Sequence, residues 1–156
     1  FIRCALNYLK SMEKTMSIPT NETKLVMDLM ISRNRFPVVL EKTLLKETLE
    51  EMCRKRLGIA CIVNEEKYLK GIITDGDFRR KLLKVQKPLS AFFVDDAFDH
   101  AIHNPVTVNP DQTLLHAVQL MEEKQIWDLP VVNLSGILVG LLHLHPVVQN
   151  LLGERQ

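Results

Sequence analysis

The residues best suited to chemistry in this chain lie in Gly71-Ile-Ile-Thr-Asp-Gly-Asp-Phe-Arg-Arg80, where an apolar strand gives way to a helix. Thr74 sits at the start of that helix and Asp77 three residues on, the spacing of a helix cap. A Thr oxygen and a carboxylate placed this way can satisfy backbone N–H groups that have no partner inside the helix. The same geometry can hold a ribose phosphate. Free N–H groups and the helix dipole attract phosphate, the Thr hydroxyl can donate to it, and the carboxylate can accept ribose hydroxyls. Gly76 allows close approach to the backbone, and Arg79 and Arg80 add positive charge. Pattern alone favours the cap and leaves the ligand site open. A divalent cation on Asp75 and Asp77 is the weakest reading, since calcium takes 6–8 oxygens and a chelating Glu is missing.

The unit recurs 69 residues later as Gly140-Leu-Leu-His-Leu-His-Pro-Val, with His143 in place of the Thr and Pro146 in place of the Asp. Proline suits a first helical turn but cannot hold a diol. The second copy is therefore expected to be degenerate or to take a different ligand. One intact and one altered copy point to a sensor rather than an enzyme. His143 and His145, two apart, are expected to share a face near a strand end. Zinc would need a further ligand and none lies close in sequence, so packing or phosphate hydrogen bonding is expected of them. His116 reads as a surface residue. Trp127 reads as core filler by default, with stacking on a base as the sharper alternative.

The elements that must position these residues repeat with them. At the same offset Leu45, Leu49 and Met52 fall on Leu114, Val118 and Met121, spaced as one helix face. Ala60-Cys-Ile-Val-Asn64 falls on Leu129-Pro-Val-Val-Asn133, and Gly71-Ile-Ile on Gly140-Leu-Leu, two strands of one hairpin. Phe78, Leu82 and Leu83 fall on Val147, Leu151 and Leu152, the apolar face of a closing helix. Helical stretches at 24–30 and 95–102 and extended segments at Pro37 and 105–108 lead into the repeats. The fold class is α/β (α+β): two repeats about a pseudo-twofold axis, each a small sheet flanked by helices. The boundaries read as a lead at 1–23, repeats at 24–86 and 87–152, and a tail at 153–156. Residues 4–10 read as a short amphipathic piece. Halves of this size bury too little surface alone, which requires them to pack face to face.

Bulk properties narrow the function. Twenty basic and nineteen acidic residues leave a net charge of +1, which excludes a broad nucleic-acid surface. Three cysteines without regular spacing point to reduced thiols, with Cys53 and Cys61 as small core residues. No apolar run reaches the ~20 residues of a membrane span, and Phe1-Ile-Arg3 has no signal-peptide layout, so the setting reads as cytoplasmic. The absent initiator Met points to a fragment.

Paired repeats ending in Gly-hydrophobic-x-Thr-x-x-Asp resemble cystathionine-β-synthase (CBS) domains joined as a Bateman module. Arg54-Lys-Arg-Leu-Gly58, the Gly71–Arg80 string and Leu141-Leu-His-Leu-His145 are similar to the C-terminal CBS pair of arabinose-5-phosphate isomerases. The Thr-Asp-Gly-Asp string also resembles CBS pairs of sugar-phosphate nucleotidyltransferases. Pro146 departs from the isomerase pattern, which has an acid there, and weakens any carry-over to that position. The resemblance implies a regulatory module without catalytic residues, metal or obligatory cofactor, whose catalytic sugar-isomerase (SIS) domain lies outside this chain. It implies a ligand cleft at Thr74, Asp75, Asp77, Arg79, Val106, Thr107, Asp128, Leu129 and His143. The implied ligand is an adenine nucleotide or the downstream nucleotide-sugar CMP-Kdo of lipopolysaccharide synthesis. Implied partners are the SIS domain and further copies in a homodimer or tetramer, with neither nucleic acid nor membrane. The competing expectation is a scaffold that only joins modules, through helix faces containing Phe78, Leu82, Val147 and Leu151.

Overall fold

The structure, a computed structural model, describes residues 24–151. The amphipathic piece at 4–10, the rest of the lead and the tail lie outside the described residues. The chain runs α1 (Val26–Leu29), β1 (Ile31–Ser32), a 3-10 turn (Arg33–Arg35), β2 (Val38–Leu40), α2 (Leu45–Lys55), β3 (Ile59–Val63), β4 (Leu69–Thr74) and α3 (Asp75–Lys84). After a link come α4 (Leu89–Phe92), a 3-10 turn (Ala97–His100), β5 (Ile102–His103), α5 (Leu114–Lys124), β6 (Asp128–Val132), β7 (Leu138–His143) and α6 (Leu144–Leu151).

Local chemistry accounts for the matched elements. Leu45, Thr48 and Met52 bury one face of α2, and Leu114, Ala117, Val118 and Met121 bury the corresponding face of α5. Both helices stop at a residue in the left-handed conformation, Arg56 (φ 55°) and Gln125 (φ 54°), whose N–H groups return to the last turn. Each then feeds the first strand of an antiparallel hairpin. Asn64 and Asn133 close the two hairpin turns by accepting backbone N–H groups from Tyr68 and from Ser135 and Ile137.

The sheets are completed by exchange. β1 pairs antiparallel with β7, so residues early in the chain finish the sheet β1-β7-β6 of the second hairpin. β5, which follows the first repeat, pairs with β4 and finishes the sheet β2-β3-β4-β5. The two crossings obey the repeat: Ile31 faces Leu141 and Ile102 faces Ile72, while Ser32 faces Gly140 and His103 faces Gly71. The helix expected at 95–102 is a short 3-10 turn, because Ile102 and His103 are taken up by pairing with β4. The extended segment at 105–108 makes a single parallel bridge, Val108 to Val131, where the first repeat has the three-residue β2.

Every residue of β3 is buried, because both faces of its sheet are covered. Ile59, Cys61 and Val63 face Phe36, Leu138 and Leu141 in a core between the sheets. Ala60 and Ile62 face the helices of the first repeat with Leu45, Met52, Phe92 and Ala97. Leu129, Val131 and Leu142 face α5, α6 and Val26. The hairpin turns also join across the axis through a Tyr68–Ile137 bridge. The halves thus pack face to face.

Burial corrects several sequence expectations. Cys61 is buried, and desolvation drives its thiol far above the usual range, whereas Cys53 is exposed on α2. Val147 is fully buried in the core and is unavailable as an exposed joining surface. Phe78 and Leu82 pack partly onto the first core, and Leu83 projects from α3 at 85% exposure. Among the described residues no helix is long and apolar enough to cross a membrane.

Candidate functional site

A cleft of about 720 Å³ opens where the end of β4 meets the end of α5 from the other repeat. One wall carries Gly58, Ile72, Thr74, Gly76, Asp77, Arg79 and Arg80. The opposite wall carries Val106, the run from Lys124 to Asp128, and His143, with Ile102 supplied by the exchanged β5.

Thr74 is both the last residue of β4 and the N-cap of α3. Its Oγ1 accepts the Asp77 N–H at 3.1 Å, as a cap should. The hydroxyl in turn donates to Asp77 Oδ2 at 2.5 Å. The other carboxylate oxygen, Oδ1, is paired with Arg80 Nη2. Asp77 therefore binds the hydroxyl of Thr74 and not a backbone N–H, which departs from the reciprocal cap expected from the spacing. A carboxylate aimed at the cleft and held by two side chains can exchange either partner for a ligand hydroxyl.

Across the cleft, Trp127 stands where the first repeat has Gly58 and is 52% exposed. Core filler is thus excluded for it. The backbones of the two residues do the same work: Gly58 O accepts the Asp75 N–H and Trp127 O accepts the Leu144 N–H. A side chain at this position faces the cleft, and the core is filled two residues later by Leu129. His143 Nδ1 is 2.8 Å from Asp128 Oδ1. The hydrogen bond to Asp128 raises the His143 pKa above its ordinary value, partial burial opposes this, and the carboxylate's charge adds to the rise.

The cleft brings together Thr74, Asp77, Arg79, Val106, Asp128 and His143 from the residues singled out in the sequence. Three others stand elsewhere. Asp75 is exposed on the first turn of α3, with Oδ2 tucked against Gly58, and Leu129 is fully buried in the second core. Thr107 is half-buried outside the lining. His145 is exposed on α6 while His143 ends β7, so the pair does not share a face. His116 is exposed on α5 as expected. Among the described residues no group of three His, Cys, Asp or Glu side chains is arranged to hold a metal.

Sequence reasoning missed Ile72, Ile102, Ile126, Lys124 and Gln125. Ile72 and Ile102 face one another in register, so their place depends on the exchanged strand. Gln125 falls on Arg56 at the 69-residue offset, and that match was a usable signal that the same helix-ending turn presents residues 124–128.

The model of the CBS domain matches residues 26–84 and 96–150. The chain belongs to the CBS-domain family. Its two matches make it a tandem CBS pair, and relatives include arabinose 5-phosphate isomerases. A probable arabinose 5-phosphate isomerase of Haemophilus influenzae is 36% identical over 110 residues, 70% of this chain and 32% of that protein. The isomerase KdsD of Pseudomonas aeruginosa is 33% identical over 124 residues, 80% of this chain and 37% of that protein. An uncharacterised Rickettsia prowazekii protein is 32% identical over 85% of this chain and 39% of its own length. This CBS pair therefore spans less than two fifths of the length of the curated relatives it matches. Among solved structures, CBSX2 in complex with AMP is similar with a TM-score of 0.73 and 26% identity, covering 85% of this chain and 98% of that one.

Proposed function

We propose that this CBS pair is a regulatory module whose cleft binds an adenosine nucleotide. The observation that carries the reading is the Thr74–Asp77 unit at the start of α3 facing Trp127 across an open cleft. In this reading the phosphate lies at the N-terminus of α3, met by the Thr74 hydroxyl, Arg79 and the helix dipole. Asp77 accepts the ribose hydroxyls, and the base stacks on Trp127 with Ile72, Ile102 and Val106 around it. The AMP complex of CBSX2 supports the choice of ligand. His143 and Asp128 border the same space and tune its charge.

The isomerase relatives support a parent protein that interconverts sugar phosphates, with an SIS domain as the catalytic partner. Ligand acts on that partner through its unequal affinity for two arrangements of the module. CMP-Kdo is the competing ligand, as a feedback product of such a pathway. A second reading, assembly into a homodimer or tetramer, rests on Leu83 at 85% exposure, with exposed Val85 and Leu89 following it.

The test is thermal melting against AMP, ADP, ATP, CMP and CMP-Kdo, repeated with Asp77→Ala. Ligand at a hundred times its dissociation constant stabilises the fold by about 2.7 kcal/mol. A shift with AMP that is lost in Asp77→Ala supports the reading. A shift with CMP-Kdo alone replaces the ligand, and no shift with any of them refutes it.

A further inference from the structure

Arg80 occupies the cleft in a way that Arg79 does not. It lies one turn beyond Gly76, and its guanidinium folds back along the first turn of α3. Nη1 and Nη2 come within 3.3 and 3.6 Å of where a Cβ on Gly76 would stand. Nη2 is bonded to Asp77 Oδ1 while Thr74 holds Oδ2, so both oxygens of the carboxylate are engaged by side chains of α3 and its cap. The guanidinium lies against the first turn of α3 at Gly76 and Asp77, and its side chain is 64% exposed, with room to swing outward. Arg79 lines the same cleft, with no side-chain partner among the described residues.

We propose that Arg80 is a specificity-determining residue that exchanges its partner, leaving Asp77 for the phosphate of the ligand, and so makes the cleft reject unphosphorylated nucleosides. The inference rests on the nucleotide reading of the cleft. A ribose diol needs the Asp77 oxygen that Arg80 holds. A neutral nucleoside replaces a charge-assisted bond by a neutral one and leaves the guanidinium without a protein partner. A nucleotide releases Arg80 from Asp77 and offers it a phosphate at the same helix end, so one charge-assisted bond replaces another. Selectivity then comes from displacement, with the cost falling only on ligands that bring no anion. Arg79, which gives up no side-chain bond, contributes attraction alone.

The two arginines therefore differ in the sign of their effect on a nucleoside. Calorimetric titration of the 156-residue chain with AMP and with adenosine tests this, using wild type, Arg80→Ala and Arg79→Ala. Arg80→Ala is expected to weaken AMP and strengthen adenosine, lowering the AMP-to-adenosine affinity ratio by about tenfold or more, the worth of one hydrogen bond to a charged group. Arg79→Ala is expected to weaken AMP and leave adenosine unchanged. Arg80→Met keeps the aliphatic stem on α3 and must reproduce the Ala result, and melting without ligand checks the fold of each variant. If AMP binds wild type but Arg80→Ala leaves adenosine no tighter, the exchange is overturned and the nucleotide reading stands. If neither AMP nor adenosine binds wild type, both fall.

Discussion

Gly71→Ala probes the exchange of strands that builds the cleft. Gly71 is buried in β4 opposite His103 of β5. A Cβ there would stand 3.0 Å from Ala101 Cβ and 3.0 Å from the carbonyl oxygen of Ile102. Both obstacles are anchored: one is backbone and the other is one bond from it, so β5 itself must retreat by a few tenths of an ångström. Overpacking of this kind costs about 1–3 kcal/mol. For a chain of this size the melting midpoint should fall by roughly 2–12 °C. Gly76→Ala is the matched control. Its Cβ would meet Arg80 Nη1 at 3.3 Å, the far end of a flexible side chain. Alanine is also the better helix former by up to about 1 kcal/mol, so Gly76→Ala should be neutral or stabilising. Urea and thermal unfolding without ligand would measure both, with an unchanged m-value confirming that only stability moved. A Gly71→Ala midpoint equal to wild type, or a larger loss in Gly76→Ala, would refute the claim that β5 is packed against β4 at its limit. Because β5 carries Ile102 into the cleft, Gly71→Ala should also weaken AMP.

Three further outcomes follow from the same structure. The folded His143 pKa is raised by Asp128, so the pair contributes stability that is fully present below the ordinary value of 6.5 and is lost as pH rises through the folded pKa. The stability gap between wild type and Asp128→Asn should therefore be widest just below pH 6.5 and narrow as pH rises above it; a gap that widens over that rise would contradict the pairing. Phe92 is 1% exposed and packs edge-on against Phe78, fastening the link between repeats onto the first core. Phe92→Ala should cost about 3–5 kcal/mol in urea unfolding, and a loss below 1 kcal/mol would show that the link is not part of that core. Trp127→Ala should leave unfolding within about 0.5 kcal/mol of wild type, because a half-exposed ring contributes little to the core, while weakening AMP by about tenfold if the base stacks there.

Asp95 adds a device that was invisible in sequence. Its Oδ2 accepts from Lys87 Nζ and from His100 Nε2, and these bonds, with Lys87 the larger contributor, hold its carboxyl below the usual carboxylate range. His100 is 7% exposed in its side chain, and its Nδ1 is buried without a partner among the described residues. The cluster pins residues 87–100 against Phe92, with Lys87 Nζ 5.3 Å from the ring centre.

The repeat, its offset and the order helix, hairpin, helix were legible in the sequence, because each depends on neighbours a few residues away. The apolar spacing of Leu45, Leu49 and Met52, the hairpin-closing Asn64 and Asn133, and the cap at Thr74 all act locally, so one chain suffices to read them. The alternation of β3 was hidden because the strand is buried on both faces, which erases the polar signal of an outer side. The exchanged strands were hidden more deeply. Ile31–Ser32 and Ile102–His103 are two residues each, too short to carry a period, and their partners lie 108 to 110 and 30 to 32 positions away in register. That pairing brings Ile102 opposite Ile72 and sets the end of α5 against the start of α3. The same distance effect separates Trp127 from the core and Leu129 from the cleft: sequence alone assigned both to apolar positions near a strand. Which of two neighbouring apolar residues faces a ligand depends on which repeat it is packed against, and that is fixed by contacts between halves rather than within them.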